Sequence, residues 1–204
     1  MIGPEQAPTR AAVLALKEER TVVGEAYDFL DEKRLLLAAE LLKQLDVFER
    51  LQGEINTLYA TVRQRLVAAV ERHGLQGLSV YPPGSLEGVS LASRERNFMG
   101  VILTETELLD APGEQRERLA CNPSAEAEAC RALFREILRQ SAVLAGVSGS
   151  LYRLLAEYRL TERRARALEN VILPEIEQAL NEMTTHLEEL DLEDAIRVRY
   201  QAHA

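Results

Sequence analysis

The sequence contains no Trp, only 5% aromatic residues, and few turn-forming residues, with 11 Gly and 7 Pro among 204 positions. β-Sandwiches, barrels and dinucleotide-binding folds need many short strands, rich in aromatic and β-branched residues, between frequent turns. Glycine-rich phosphate loops and the HExxH zinc motif are also missing, as is any recognisable set of nucleophile, base and orienting group. The composition therefore predicts a protein that is not an enzyme and has neither catalytic residues nor a cofactor.

Basic residues are fewer than acidic ones, 24 against 33, which gives a net charge of −9. This balance offers no general electrostatic attraction to nucleic acid. The longest uncharged apolar runs, residues 35–39 and 142–147, are far shorter than the roughly 20 residues needed to cross a bilayer. The amino terminus lacks the apolar core of a signal peptide. We therefore predict a cytoplasmic protein without nucleic-acid binding or direct membrane insertion.

Metal-binding and redox patterns are also lacking. Cys121 and Cys130 lie nine residues apart, which suits neither a Cys-x-x-Cys pair nor a zinc knuckle, so both are predicted to be inert thiols. His186 shares a helical face with Glu182 and Glu189, but such neighbours are common on acidic helices. No metal site is predicted.

What the sequence has in abundance is helix-forming residues, because Ala, Leu, Glu, Lys and Arg make up more than half of it. From Leu16 to Ala69, positions alternately three and four residues apart are mostly apolar, a pattern typical of a coiled-coil helix. We predict an amino-terminal extension (1–10) and a long helix (11–74) that ends at His73 and Gly74.

A second long helix is predicted over residues 122–196, followed by a tail (197–204). Asn122 would cap it, with Pro123 in the first turn. Its apolar pattern slips between Tyr158 and Ala165, and Pro174 is expected to kink it nearby.

The lengths of these helices predict an elongated protein. A 63-residue helix spans about 95 Å, whereas a compact globule of this size has a radius of gyration of about 17 Å. The helices should fold back antiparallel, with facing residues whose numbers add to about 199. Four polar residues interrupt the apolar pattern and are predicted to set the register: Arg20, Arg34, Gln44 and Arg65. Arg34 would lie beside Ala165, within reach of Glu162 or Glu169.

Residues 75–121 form the middle of the chain. Three β-like segments, 78–81, 89–91 and 97–103, are separated by the prolines and glycine of 82–84 and by the charged residues 94–96. They predict a small domain with a short β-hairpin and short helices, whose apolar residues either pack on the long helices or form a docking surface. The predicted fold is therefore mainly α: a long antiparallel two-helix coiled coil with a small middle domain.

Two charged segments near the carboxyl terminus allow alternative interpretations. Residues 167–196 contain no Lys or Arg, which fits either a solvated helix face or a tip that must not adhere to its surroundings. Three arginines just before this segment are either a solvated patch or a partner contact: Arg163, Arg164 and Arg166.

Three segments, in order along the chain, resemble the D subunit of the V-type (V/A-type) ATPases. They are residues 8–10 with Lys33 and Arg34 downstream, residues 97–101, and residues 161–174. The chain departs from the family pattern at Arg166, where Asn is usual, at Leu35, where an acidic residue is usual, and in its acidic carboxy-terminal region.

This resemblance implies the central rotor shaft of an ion-translocating ATPase, which couples ATP hydrolysis or synthesis in a catalytic head to rotation of a membrane ring. The implied partners are the A and B subunits of the head, the small F subunit of the central stalk and the ring-adaptor C subunit (d-type). The implied location is cytoplasmic, peripheral to the membrane through the complex, with the paired termini (about 8–30 and 168–196) inside the head.

The resemblance also suggests two groups of partner-binding residues. The head-facing group is Arg10, Arg163, Arg164 and Arg166. The middle-domain group, as core or partner surface, is Val89, Leu91, Phe98, Met99, Val101 and Ile102. Periodicity alone fits a non-rotary coiled-coil adaptor or scaffold equally well, and only the three ordered motifs favour the shaft.

Overall fold

The computed structural model describes residues 9–81, 88–109 and 122–202. In chain order the elements are α1 (Arg10–Ser79), β1 (Ser90–Phe98), β2 (Val101–Leu109), α2 (Ala125–Ala167), a π-helical turn (Leu168–Ile172) and α3 (Leu173–Ala202). The predicted fold class, two long helical segments with a small β-hairpin between them, is confirmed. Predictions for Cys121, for the 82–84 turn and for most of the amino-terminal extension lie outside the described residues.

Side-chain caps fix where the two long helices begin. The Thr9 hydroxyl accepts a 3.2 Å hydrogen bond from the Ala12 amide, and the Ser124 hydroxyl accepts one of 3.2 Å from the Ala127 amide. Each hydroxyl thereby satisfies an amide of the first turn that has no partner within the helix. The second helix thus begins at Ala125 rather than at the predicted residue 122, because Ser124 and not Asn122 supplies the cap.

Gly74 interrupts α1 where the sequence predicted the helix to end. Its φ of 67° and ψ of 166° are not helical, and a positive φ is readily adopted only by glycine. Beyond this break the chain resumes helical structure for residues 75–79. The predicted end is therefore a kink followed by a short helix.

The chain divides into two compact units, one comprising residues 1–36 and 158–204 and the other Leu37–Glu157. In the described part of the first unit, α1 and α3 run antiparallel. Leu16 packs with Ile176 and Leu180, covered by Val13, Val23, Ala179 and Met183. Arg20 binds Glu177 at 2.8 Å. The apolar contacts bury one stripe of each helix, as the sequence period predicted.

The π turn lies in the first unit and marks a change in the helical pattern. The Leu173 amide donates to the Leu168 carbonyl, five residues back. Pro174 follows at once, and since proline lacks an N–H and its ring clashes with the carbonyl four residues earlier, a regular α-helix is disfavoured here. The sequence predicted a change in the apolar pattern between Tyr158 and Ala165. Thr161 and Ala165 are both buried, so the buried stripe continues through this interval. The change was therefore predicted too early in the chain.

Helix α3 continues to Ala202, so residues 197–202 are helical where the sequence predicted a tail. Arg199 lies in the last turn, where a cation interacts favourably with the negative end of the helix dipole.

In the second unit, the later part of α1 packs antiparallel against the first part of α2. Val62, Cys130 and Ile137 form a buried cluster with Leu58 and Leu133 against it. Burial raises the pKa of the Cys130 thiol, which keeps it protonated at neutral pH and agrees with the inert role predicted for it.

The antiparallel register agrees with the predicted one. Arg10 with Asp191 and Arg20 with Glu177 in the first unit, and Arg72 with Glu126 in the second, have residue numbers that add to within about two of 199. The register therefore follows from where the helices begin and end.

The polar residues expected to set that register behave differently from one another. Arg20 bonds across the helix pair, and Gln44 bonds to Glu40 on its own helix. Arg34 pairs at 2.6 Å with Asp31, an acid one turn away on its own helix, rather than with Glu162 or Glu169. Arg65 is exposed and lies outside the buried stripe.

A hydrogen bond between Tyr81 and Glu128 closes the kinked end of α1 against α2. The Tyr81 hydroxyl donates to Glu128 Oε1 at 2.7 Å. This bond is the main cause both of a Glu128 pKa below its ordinary 4.5 and of a Tyr81 pKa above its ordinary 10.0. The lowered carboxyl pKa contributes stability above about pH 4.5, which is lost as the pH falls through the folded-state value. The raised tyrosine pKa contributes below about pH 10, and this part is lost as the pH rises through the folded-state value.

We expect Tyr81→Phe to raise the pKa of Glu128 towards 4.5, because the donor that favours the carboxylate is removed. Carboxyl-detected NMR titration measures this directly. The stability difference between wild type and variant should also shrink as the pH falls below 4.5. Tyr59→Phe is the control, and an unchanged Glu128 titration in Tyr81→Phe would contradict this explanation.

Candidate functional site

The β-hairpin is the most specific feature of the second unit. Its strands are antiparallel, with Phe98 opposite Val101 at the turn and Ser90 opposite Leu109 at the open end. Met99 and Gly100 form the turn with φ of 50° and 87°, and positive φ at both positions is typical of a type I′ turn. The Asn97 side-chain oxygen accepts a 3.1 Å bond from the Gly100 amide. Residues 97–101, recognised as a motif in the sequence, thus form the turn of the hairpin.

The outer edge of β2 is covered by α2. Ser150 Oγ accepts a 2.8 Å hydrogen bond from the Thr104 amide. Its hydroxyl proton is donated to a backbone carbonyl. The Gly146 carbonyl at 2.9 Å and the Thr104 carbonyl at 3.2 Å are both within reach. Arg153 donates to the Ile102 carbonyl and to the Thr104 hydroxyl, each at 2.7 Å. An uncovered edge strand presents unpaired backbone groups, and here side chains of a helix satisfy them.

Gly146 allows this close approach. A Cβ built on Gly146 would lie 2.9 Å from the Thr104 carbonyl oxygen and 3.0 Å from the Thr106 amide nitrogen. The Thr106 hydroxyl donates to the Ala142 carbonyl. Ala142, Gly146 and Ser150 are four residues apart, so they form a row of small side chains beneath β2. The sequence reasoning missed this row, although the spacing of small residues was visible.

The hairpin is also tied to α1, through β1. Arg96 donates to Glu40 Oε1 at 2.8 Å, and Gln44 donates to the same oxygen at 3.0 Å. The Glu40 side chain is only 8% exposed, and a carboxylate that is this deeply buried requires such partners. The Arg96 guanidinium also lies 5.8 Å from the centre of the Phe98 ring. Contacts to both helices therefore position the hairpin.

The six predicted middle-domain residues divide between core and surface. Val101 is 5% exposed and belongs to the core. Val89, Phe98 and Met99 are partly buried. Leu91 is 59% and Ile102 47% exposed, so these two apolar side chains are available for contact.

The four predicted head-facing arginines all lie in the first unit but at two levels. Arg10 pairs with Asp191 at 3.1 Å, whereas Arg166 binds Glu162 at 2.7 Å and Arg163 donates to the Arg159 carbonyl at 3.3 Å. Arg164 is exposed. With 1.5 Å per residue, about 40 Å of helix separates Asp191 from Arg164. The structure thus groups Arg163, Arg164 and Arg166 on neighbouring turns and leaves Arg10 apart.

Neither a metal site nor a membrane-spanning helix is found among the described residues. His186 Nδ1 lies 3.4 Å from Glu189 Oε2 on an exposed face, and no group of three His, Cys, Asp or Glu side chains in these ranges could hold a metal ion. No helix in the described part of the chain is long and apolar enough to cross a membrane.

Comparison with known proteins places these features in a family. Residues 12–200 match the family model of the ATP synthase D subunit. The chain belongs to this family. It is 27% identical over 193 residues to the V-type ATP synthase D subunit of Thermotoga neapolitana, covering 95% of each chain. It is 29% identical to the A-type ATP synthase D subunit of Thermococcus kodakarensis, covering 94% of this chain and 91% of the relative.

The resemblance found in three sequence motifs is therefore confirmed. Each motif includes a departure from regular helix in the structure of this member of the D-subunit family. The first holds the Thr9 cap, the second the hairpin turn at Met99 and Gly100, and the third runs through the π turn to Pro174. Such positions require particular residues, which makes them recognisable in a sequence otherwise rich in interchangeable helix formers.

Proposed function

We propose that this chain is the central rotor shaft of a V/A-type ion-translocating ATPase or ATP synthase and carries no catalytic residue. The observation that supports this most strongly is the family match over residues 12–200, together with relatives named as the D subunits of V-type and A-type ATP synthases. In this role the chain transmits rotation between the catalytic head and the membrane ring.

The charge pattern near the carboxyl terminus of the first unit suits a shaft that turns inside a bearing. A shaft that adhered strongly in one orientation would stall, so its contacts with the head must be weak. Residues 167–196 contain seven glutamates and two aspartates but no Lys or Arg. Exposed acidic side chains in this segment include Glu188, Glu189, Asp191 and Glu193. We propose that this acidic segment limits adhesion within the head.

We propose partners for each unit on the same basis. Arg10, Arg163, Arg164 and Arg166 would meet the A and B subunits of the head. The hairpin-bearing unit, with Leu91 and Ile102 exposed, would meet the small F subunit and the ring-adaptor C subunit (d-type). The complex would hold the chain at the cytoplasmic side of the membrane.

The function is tested by reconstitution. Purified chain, carrying a bead on a surface cysteine introduced into the hairpin-bearing unit, is assembled with immobilised A and B head subunits. Rotation of the bead driven by ATP is the expected result. A chain that binds the head in one-to-one stoichiometry without rotating would instead support the adaptor, the second candidate that helix periodicity allows. No binding would overturn both.

The arginine cluster provides a residue-level prediction. Exposed charges at an interface contribute on the order of 0.5 to 1 kcal/mol each, so Arg163→Ala with Arg164→Ala should weaken binding to the head by about fivefold to thirtyfold. The loss should be smaller at high salt. Isothermal titration at two salt concentrations measures both effects. Arg50→Ala with Arg63→Ala, which removes two exposed arginines from the other unit, is the matched control. Equal affinities for the two double variants would rule out the cluster as a head contact.

A further inference from the structure

The backbone of β1 turns every second residue away from β2. The Thr104 amide bonds to Ser150 on α2, so it faces away from β1, and Thr104 lies opposite Glu95 in the register. In an antiparallel pair, such positions alternate with positions whose backbone groups bond across the pair. The residues of β1 whose N–H and C=O both point outward are therefore Leu91, Ser93, Glu95 and Asn97.

These outward groups are accessible. All four residues are exposed, and no hydrogen bond within the described ranges reaches their backbone atoms. The outer edge of β2, in contrast, is covered by Ser150 and Arg153. A row of unpaired backbone groups is a template for another extended segment. The hairpin therefore has one covered edge and one open edge.

The open edge lacks most of the features that block strand pairing. Over its nine residues, Ser90–Phe98, β1 contains neither proline nor lysine, and its register with β2 has no bulge. Natural edge strands usually carry such features, or charged side chains, or are very short. Here the only protection is a run of three charges, Arg94, Glu95 and Arg96. These charges disfavour apolar aggregation but permit a strand with matching charges.

The same charges define the chemistry of a strand that fits. Arg96 is bound to Glu40 of α1, whereas Arg94 and Glu95 are exposed and belong to no ion pair in the described part of the chain. Opposite charges on neighbouring strands stabilise the pair, and like charges destabilise it. A matching strand therefore has an acidic residue beside Arg94 and a basic residue beside Glu95.

A second copy of β1 does not meet this requirement. In a twofold antiparallel pair centred on Arg94, Glu95 or Arg96, the central residue faces its own copy, so like charges are opposed. A pair centred on Ser93 avoids this repulsion but places no opposite charge beside Arg94 or Glu95. The charge pattern therefore favours a different chain over self-association.

A cleft beside β1 offers room for a side chain of the added strand. Its volume is about 530 Å³, and its lining consists of residues 92–94 and 105–107 of the hairpin with Val143 and Val147 of α2. Side chains directly opposite each other on neighbouring strands point to the same face of a sheet. A residue placed beside Ala92 would therefore project next to this cleft, where the two valines favour an apolar side chain.

We propose that the open edge of β1 binds an extended segment of another subunit of the complex, which adds to the hairpin as a third, antiparallel strand. The segment carries an acidic residue beside Arg94, a basic residue beside Glu95 and an apolar residue beside Ala92. The inference rests on the proposed role in a rotary complex. It specifies how the hairpin-bearing unit would bind the F or the C subunit, through backbone pairing rather than through a helix surface.

Hydrogen exchange of the full-length chain, measured by NMR, tests this with the purified F and C subunits added separately. Binding of one of them should slow exchange about tenfold or more at the outward amides of β1, because only these gain a partner. The amides of Arg94 and Arg96 already bond to β2 and should change little. Contacts made by side chains alone would not produce this alternation.

Ser93→Pro removes one outward N–H. Proline is tolerated in an edge strand where the N–H faces solvent, so the hairpin should persist, which slow exchange at the Arg94 and Arg96 amides verifies. Affinity for the partner should fall about tenfold or more, because a carbonyl of the added strand loses its donor. Ser93→Ala keeps the N–H and should bind as the wild type does. Arg94→Glu should weaken binding about fivefold, and less at high salt.

Several results would overturn the proposal: binding without alternate protection, equal affinities of Ser93→Pro and Ser93→Ala, or no binding to either subunit. Protection of the outward amides in the free chain would also overturn it, by showing that the chain itself covers the edge, or a second copy if the protection depends on concentration. If Ser93→Pro loses the hairpin, unchanged binding by Arg94→Glu decides against the proposal. The bead assay tests the rotor function separately, since rotation does not require this strand pairing.

Discussion

Gly146→Ala should lower the free energy of unfolding of the hairpin-bearing unit by about 2 kcal/mol. The added Cβ would lie within 3.0 Å of two backbone atoms of β2, the Thr104 carbonyl oxygen and the Thr106 amide nitrogen. Backbone atoms of a paired strand cannot move as a flexible side chain does, so β2 must retreat. The hydrogen bonds from Ser150 and Arg153 to β2 would lengthen or break.

Two measurements test this. Urea denaturation reports the loss of stability, and hydrogen exchange should be faster at the Thr104 amide, which Ser150 protects. Gly53→Ala is the matched control, because Gly53 is also helical and nothing lies within 4 Å of an added Cβ. Ala is the better helix former by about 1 kcal/mol, so Gly53→Ala should stabilise the protein. Stabilisation by both substitutions would show that β2 does not pack against Gly146.

Leu37→Ala should be still more destabilising, by about 3 kcal/mol. Leu37 is completely buried, whereas its neighbours Leu35 and Leu36 are 62% and 42% exposed. Removal of a fully buried leucine side chain loses its transfer free energy and leaves a cavity. Leu35→Ala, with the same chemistry two residues away, should cost less than about 1 kcal/mol.

Thermal or urea unfolding of the two variants compares the stability lost at a buried and at an exposed leucine. Both leucines belong to the same run of three, residues 35–37. Equal destabilisation by Leu35→Ala and Leu37→Ala would mean that Leu35 is also covered, for example by another copy of the chain. That outcome is checked by repeating the measurement at several protein concentrations, since association makes stability depend on concentration.

Leu37 also illustrates how much of the fold could be predicted from the sequence. Nothing in its local surroundings distinguishes it from Leu35 and Leu36, but the spacing of three and four residues from Leu16 to Ala69 selects it. The same period predicted Leu16, Ile55, Val62 and Ala69, all of which are buried. It failed at Arg65, which is exposed, because a long stripe drifts around a helix that has 3.6 residues per turn.

The candidate site was less predictable than the helices. The hairpin turn could be recognised at residues 97–101, since positive φ restricts which residues fit there. The contacts that hold the hairpin could not. Ser150, Arg153 and Glu40 lie 46 to 56 residues from their hairpin partners along the chain, and no local pattern reveals such a pairing.

By itself, the sequence determined the two long helices, their antiparallel register and the family. These depend on residue periodicity, on caps and on a few positions with special backbone angles, all of which are local properties of the chain. Only the tertiary structure decided that Gly146 and Ser150 hold β2 and that Glu40 is buried against Arg96. Those outcomes depend on which helix face each strand meets, and a face is defined only when distant segments pack together.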